Sequence, residues 1–583
     1  CLVERNGTRT PCEHIEQKAS SETNTTEIDV VVRYIIDYCK EMRIPNADQV
    51  WTPRLPDRIA LSDVMEDGFD GHQWSAKAYL PPIVGVIDEP ANQLQYPMSL
   101  DFVKRGNTLV YGAPVTGKTT FLQTLVMSLA MRRKPDEASI YIMDFGGWNL
   151  GVFRNYPHIG GIVNDDQPER LKKLMMLLND TIQNRKALFS QEGVGNISAY
   201  RQTAGKTLPD VFLIVDNLNT LLKMYSEADA FFVNLSGSGA NYGVYLIATA
   251  QAANSVPMKI SQNIKNTLAL QMIDKSDYTY LVGKVSNQLP QIPGRGLAKG
   301  NPPLEFQIAL PGSGKDEKAI TDFIRKAGEI MSSVWDGNRA EPIPEMPDMI
   351  PFRSIQTEKA ALGLTTDRIQ PVEYDWDKQH YLLISGTPQS GKSNLLYAVV
   401  KQLKDRLGGQ ACLFDVKCSA PESVASSFDA CLSQGKQIDG FIESLRPELQ
   451  RRQAEKMEDK TVRFDPLILA IDDYSDFFAA VSNDTITRLL AVIKIGRGLD
   501  LYLIVAGAAY EISALFNKGE AVILGLGKAK QAVMLGGCIN DHGAVPTNAG
   551  YNMKSIKVGA SEGYFVQDSE PTRFKAICFR KEA

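Results

Sequence analysis

Two phosphate-binding loops occur in one 583-residue chain, 274 residues apart from Lys118 to Lys392. The first reads Gly112-Ala-Pro-Val-Thr-Gly117-Lys118-Thr119 and the second Gly386-Thr-Pro-Gln-Ser-Gly391-Lys392-Ser393. Both satisfy G-x-x-x-x-G-K-[ST] in full. Each follows a short apolar run (Leu109–Tyr111, Tyr381–Ile384) and precedes a helix-like run (Phe121–Ala130, Asn394–Leu403). Strand, glycine-bearing loop and helix in that order turn backbone N–H groups toward an anion at the helix N-terminus. The expected ligand is ATP with Mg²⁺: the lysines reach the β/γ-phosphates, and the Thr119 and Ser393 hydroxyls ligate the metal. Gly112, Gly117, Lys118, Thr119 and Thr120 form the first candidate site. Gly386, Gly391, Lys392, Ser393 and Asn394 form the second.

The chain repeats itself around these loops. A strand ending in Asp follows each: Ile140–Asp144 and Cys412–Asp415. A second apolar run closes on Asp216 in one copy and Asp472 in the other, and a further strand follows (Val244–Thr249, Leu501–Ala506). Short, wholly apolar strands alternating with helices predict an α/β fold with a mostly parallel sheet covered on both faces. A partial third copy precedes them. Val31–Tyr38 and Phe323–Ala327 read as domain-ending helices, each followed by a proline-rich linker, Trp51–Asp57 and Pro342–Asp348. The expected organisation is residues 1–65 as the tail of an upstream unit, 66–350 as one nucleotide-binding domain and 351–583 as another.

Asp216 and Asp472 stand where a Walker B carboxylate holds Mg²⁺. The next position usually polarises the attacking water. Asn217 cannot act as a base, so either another residue supplies one or the first unit binds without turnover. Asp473 is shorter than the usual Glu by a methylene, which predicts a slow hydrolase, since a 1 Å misplacement can cost about 100-fold in rate. Arg497 precedes the strand Leu501–Val505 and is either a finger toward a neighbour's γ-phosphate or a solvated surface arginine. Gly239–Tyr242 offers no arginine at the matching place. Gly312-Ser-Gly314-Lys315 imitates a phosphate loop without its context. Gly294-Arg295-Gly296 reads as a tight turn, Glu448–Lys460 as a solvated helix face, and Asp144, His158 and Lys417 as packing or capping residues.

Net charge is −5 and the isoelectric point about 5.8, against broad nucleic-acid binding, which needs a basic surface. The eight cysteines contain no C-x-x-C pair, pointing to reduced thiols rather than zinc. No apolar run approaches the ~18 residues of a membrane span. The chain starts at Cys1, which suggests a soluble fragment whose membrane anchor lies elsewhere.

The order P-loop, Asp-ended strand (Asp144; Asp415-Val-Lys417), Tyr156-Pro-His158, a helix ending in Arg185, Phe189 with Gly193-Val194, Tyr200 and then Asp216 resembles the FtsK/SpoIIIE class of RecA-like motor ATPases. Tandem copies, Gln307-Ile-Ala309 and the Ile292-Pro-Gly-Arg-Gly296 turn narrow the resemblance to the multi-ATPase coupling proteins of type VII (ESX) secretion, the EssC and EccC family. The resemblance implies tandem RecA-like domains at the cytoplasmic face of a bacterial membrane, in contact with other type VII membrane components. It also implies a homo-oligomer, hexameric at full length, and recognition of WXG-type secreted proteins by a C-terminal signal at the last domain. Asn217 and the missing arginine near Ala240 depart from active motors. The competing expectation is an FtsK-like DNA translocase or conjugation coupling motor. The acidic balance and the altered Walker B positions argue against DNA as partner.

Overall fold

The apolar runs become strands buried on both faces, and the two P-loop strands occupy matching central positions in two sheets. The computed structural model describes residues 2–3, 9–10, 26–44, 52–205, 207–285, 289–314, 316–528 and 530–579. Expectations resting on Cys1, Cys12, Trp51 and Lys315 lie outside these residues, as does much of the expected 1–65 tail.

Each sheet has ten strands. In space the first runs Leu94–Ser99, Ile83–Glu89, Leu304–Ile308, Arg295–Ala298, Asn266–Ala269, Thr108–Tyr111, Val244–Ala250, Asp210–Asp216, Ala138–Asp144 and Ile159–Asn164. The second runs Pro371–Tyr374, Ala360–Thr365, Glu570–Ala576, Val558–Gln567, Ala532–Gly537, Tyr381–Gly386, Leu501–Ala508, Leu467–Asp472, Gln410–Asp415 and Ala430–Leu432. In both, the last six strands are parallel neighbours and the first five pair antiparallel. The repeat read in the sequence is thus a repeat of topology, strand for strand.

Alternation within the strands splits each unit into two cores. Val110, Ile140, Ile214 and Ile247 face the P-loop helix Lys118–Arg132, whose Phe121, Leu122, Leu125 and Leu129 are fully buried. Leu109, Met143, Leu213 and Leu246 face the opposite layer, which contains the helices Pro168–Gln191 and Ala228–Ser238. Each such side chain contributes roughly 1.5–3 kcal/mol on burial, so the P-loop helix is among the best-anchored elements of its unit. The helix expected to end at Arg185 runs on to Gln191. Arg185 is buried and donates to the carbonyls of Tyr242 and Pro209 at 2.7 Å, while Phe189 stacks on Tyr200. The helix continues because its last turns have partners. In the expected solvated face around Glu448, Arg452 is buried, bonding to Glu448 and to Leu499 O.

Helix Glu317–Val334 closes the first unit. Asp316 caps it by accepting from Ala319 N, and Tyr156 donates its hydroxyl to Ile324 O at 2.6 Å. The linker beyond it stays on the sheet: Ala340 N donates to Pro157 O and Ile343 N to Gly160 O, both at 3.1 Å. Proline-rich residues then enter the next unit through a parallel bridge, Pro351 with Cys578, as Ala60 does with Leu310 upstream.

Two candidate nucleotide sites

The two P-loops share one backbone shape. Val115 and Gln389, both at the fourth position, have positive φ (64° and 59°), as do Gly117 and Gly391 (103° and 93°). A β-branched valine in the left-handed region is uncommon and costs of order 1–3 kcal/mol, strain that clusters at ligand-binding sites. In each unit the backbone at an antiparallel strand supports the loop, from the turn just before strand Arg295–Ala298 in the first and from within strand Val558–Gln567 in the second. Gly294 N donates to Thr116 O at 2.9 Å, and Ser561 N donates to Ser390 O at 3.0 Å. A Cβ on Gly117 would meet Gly294 N at 3.0 Å. The Ile292–Gly296 segment is therefore a support of the first P-loop, a role beyond the tight turn read from sequence.

Arg295 of that turn is buried. It pairs with Glu305 at 2.8 Å and donates to Gln307 Oε1 and to the carbonyls of Leu55 and Pro56. Strand register puts Glu562 at the matching position of the second unit, where it pairs with Arg573 at 2.9 Å. The same cross-strand ion pair is present with its charges exchanged.

Lys118 turns back and donates to Gly112 O and Ala113 O, both at 2.7 Å. Burial lowers its pKa from the ordinary lysine value, with the Asp216 charge opposing that shift. Thr119 donates to Asp216 Oδ2 at 2.9 Å, and Ser393 to Asp472 Oδ1 at 2.8 Å. Hydroxyl and carboxylate oxygens side by side are the donor set a hard dication takes. Residues Asp216 and Asp472 are buried, and burial holds Asp472 above the usual carboxylate range.

A second donor reaches each carboxylate, from a different element in each unit. Thr249, on the strand between the P-loop strand and Asp216, donates to Asp216 Oδ1 at 2.5 Å and accepts from Asn217 N at 2.8 Å. The matching strand position in the second unit is Ala506, and there Tyr397 of the P-loop helix donates to Asp472 Oδ2 at 2.6 Å. Sequence reading passed over both Thr249 and Tyr397; the period of the P-loop helix, which turns Tyr397 toward the sheet, is the signal that could have found the latter.

Asn217 and Asp473 both have left-handed backbones, φ 65° and 64°. Asn217 Nδ2 donates to Phe145 O at 3.3 Å. Asp473 pairs with Lys417 at 3.0 Å, and Lys417 also pairs closely with Asp476. These two carboxylates raise the lysine's pKa. Lys417 thus sits against the residue expected to act as base, not in packing or capping. Gly146 holds the matching place in the first unit, two residues past Asp144, and any side chain there would collide with the Asp216 carboxylate. Asp144 and Asp415 accept from the backbone of their own loops, Leu150 N at 2.8 Å and Ala420 N at 2.7 Å.

Thr120 follows Thr119 in the first turn of its helix. Asn394 accepts from Phe579 N at 3.0 Å. Arg497 lies in the 3₁₀ turn Gly496–Leu499, matched by Gly239–Tyr242; its side chain is outside the described residues. His542, not singled out in sequence, shares a hydrogen bond with Ser385 Oγ at 2.8 Å beneath the second P-loop, and burial lowers its pKa.

Residues 72–300 match the FtsK/SpoIIIE family. The chain is 25% identical to the ESX secretion system protein EccC of Thermomonospora curvata over 97% of its own length and 44% of that protein. It is 28% identical to the type VII secretion system protein EssC of Staphylococcus aureus over 60% of this chain and 25% of that one. The chain spans less than half the length of both relatives. Its fold matches EssC (ATPases 2 and 3) from Geobacillus thermodenitrificans, with a TM-score of 0.79 and 21% identity over 90% of this chain and 99% of that one. It also matches Thermomonospora curvata EccC (ATPases 2 and 3) in complex with a signal sequence peptide, with a TM-score of 0.64 and 23% identity over 91% and 100%. With its two P-loops set on two sheets of one topology, the chain matches the FtsK/SpoIIIE family over residues 72–300 and is similar to the type VII secretion proteins EssC and EccC.

Proposed function

We propose that the chain forms two cytosolic ATP-binding units of a type VII secretion ATPase and couples nucleotide to the recognition and export of small helical WXG-type proteins. The observation that carries this reading is the pair of complete P-loop and aspartate constellations in a chain homologous to EccC over 97% of its length. Lys118 and Lys392 would neutralise phosphate charge. Thr119 with Asp216, and Ser393 with Asp472, would hold Mg²⁺, which supplies charge neutralisation at the phosphates when bound.

The first unit, with Asn217 beside Asp216, binds ATP and regulates. The second, with Asp473 in an ion pair, turns over slowly, and Arg497 is the candidate finger toward a neighbouring subunit. The C-terminal signal of the exported protein binds the last unit, in line with the signal peptide held by the Thermomonospora curvata relative. No described helix is long and apolar enough to cross a membrane. Attachment to the cytoplasmic face of the membrane and a hexameric assembly belong to the full-length protein in this reading.

The test is fluorescence anisotropy at physiological salt, with a labelled C-terminal peptide of a WXG protein and, separately, a labelled duplex DNA. Saturable peptide binding without DNA binding is expected. DNA binding with steep salt dependence, and no peptide binding, would overturn the reading in favour of a nucleic-acid motor.

A further inference from the structure

One side chain pins the end of the strand beside each P-loop strand, and the two units use different chemistry for the pin. Strand register pairs Ala269 with Tyr111 in the first unit and Met534 with Ser385 in the second, so Leu270, Gln271 and Met272 match Leu535, Gly536 and Gly537. In the first unit the Tyr278 hydroxyl donates to Leu270 O at 2.9 Å and accepts from Met272 N at 3.0 Å. In the second, His542 takes that place. Its Nε2 lies 3.1 Å from Gly536 O and its Nδ1 2.8 Å from Ser385 Oγ. A carbonyl oxygen accepts and never donates, so Nε2 carries the proton and Nδ1 accepts from the Ser385 hydroxyl.

Both contacts lead to the loop. Ser385 precedes Gly386, the first residue of the P-loop. Gly536 and Gly537, both at φ 67°, lie bare against the loop: a Cβ on either would collide with the Thr387 side chain. Thr387 N also donates to Leu535 O at 3.0 Å. The imidazole thus ties the strand that carries the P-loop to the strand end on which Thr387 rests.

His542 is buried, and burial lowers its pKa below the ordinary 6.5, with Asp541 beside it opposing that shift. The strands Tyr381–Gly386 and Ala532–Gly537 and helix Ala521–Gly527 bring no charged side chain to it. Helix Ala509–Asn517, whose Ser513 faces Gly543, carries Glu511; strand Val558–Gln567 carries Tyr564 and Glu562, the latter paired with Arg573. Tyr278 differs in kind: burial raises the pKa of its phenol, which stays neutral wherever a histidine titrates.

On the reading of both loops as ATP sites, we propose that His542 is a positioning residue for the second P-loop, and that a proton on its ring loosens ATP from the second unit and not from the first. Once protonated, both ring nitrogens donate. Nδ1 no longer accepts, the Ser385 hydroxyl hydrogen loses its acceptor, and a buried charge replaces a neutral ring. The strand end shifts to relieve both, and the loop resting on it loses its alignment with the phosphates. The Tyr278 pin undergoes no such change.

The experiment is a titration of the full chain with methylanthraniloyl-ATP and Mg²⁺, in Lys118→Ala to read the second unit and in Lys392→Ala to read the first. Between about pH 7.5 and about pH 5.5, Lys118→Ala is expected to lose roughly three- to tenfold more affinity than Lys392→Ala, within the tenfold per pH unit that one proton allows. The terminal phosphate of the nucleotide gains its own proton near about pH 6, in both proteins alike. Within Lys118→Ala, His542→Ala should weaken binding already at the higher pH. His542→Gln, which keeps a donor for Gly536 and cannot titrate, should restore most of that loss and abolish the extra pH dependence. Circular dichroism at each pH checks folding. Should the His542 variants misfold, Ser385→Ala, which keeps the ring and removes its partner, should shrink the difference between the units. No nucleotide binding by either protein at the higher pH would overturn the reading of the loops and this role together. Binding by both with one shared pH profile, or tighter binding by the second unit on protonation, would overturn the role of His542 alone.

Discussion

The Tyr397 hydroxyl donates to Asp472 at 2.6 Å, whereas the corresponding carboxylate of the first unit, Asp216, takes its second hydrogen bond from Thr249 on the neighbouring strand. Hydrogen bonds to a buried carboxylate contribute about 1.5–3 kcal/mol. Tyr397→Phe should destabilise the second unit by that order and raise the pKa of Asp472 further, because the tyrosine bond lowers it. Denaturant melting reads the first effect. ATP·Mg²⁺ affinity that falls at higher pH than in wild type reads the second. Thr249→Val should act likewise on the first unit alone.

Lys417 holds Asp473 in an ion pair at the position expected to orient water. Its side chain is half-exposed, so Lys417→Ala should change stability by no more than about 1 kcal/mol. Under the proposed function it should raise ATP turnover several-fold, and the gain should vanish in Lys417→Ala/Lys392→Ala. Unchanged turnover would show that Asp473 is not the limiting group.

The exchanged ion pairs, Arg295 with Glu305 and Glu562 with Arg573, invite a swap. Arg295→Glu alone leaves a buried carboxylate facing Glu305 and should cost about 3–5 kcal/mol. Adding Glu305→Arg should recover part of that loss. The carbonyls of Leu55 and Pro56 would still lack their donor, so limited proteolysis near residue 55 should stay faster than in wild type even when the melting temperature recovers.

Burial lowers the pKa of His158 from 6.5 to about 4. The unfolded chain therefore takes the proton first. Stability is full above the unfolded value and is lost as pH falls from about 6.5 toward about 4, by on the order of 3 kcal/mol in all. Thermal melts across that range should show the slope, and His158→Gln should reduce it.

How much of this was legible in the sequence follows from where each signal resides. P-loops, Asp-ended strands and linkers are local patterns, and the two sheets follow from them. Tyr397 was visible as a helix residue, but its bond to Asp472 spans 75 positions and depends on which strand lies beneath the helix. Lys417 read as a capping residue because its partners, Asp473 and Asp476, come from another strand end. The Gly294 turn looked like a turn because the loop it supports lies 178 residues earlier, at Thr116. Such pairings are set by sheet order, which local periodicity does not encode.

The linker residues that follow the first unit have a consequence beyond connection. Strand Ile159–Asn164 is the last of its sheet, and its outward backbone groups are a template for any passing strand. Ala340 and Ile343 bond to Pro157 and Gly160 along that border, and Gly160 and Gly161 lie bare so that Glu341 and Ile343 can lie flat on them. In the second sheet the outermost strand, Ala430–Leu432, is three residues long. One border is sealed by the tether to the next unit and the other is cut short, so an insertion that lengthened or loosened residues 340–345 would free a sticky margin and drive aggregation before it altered either nucleotide site.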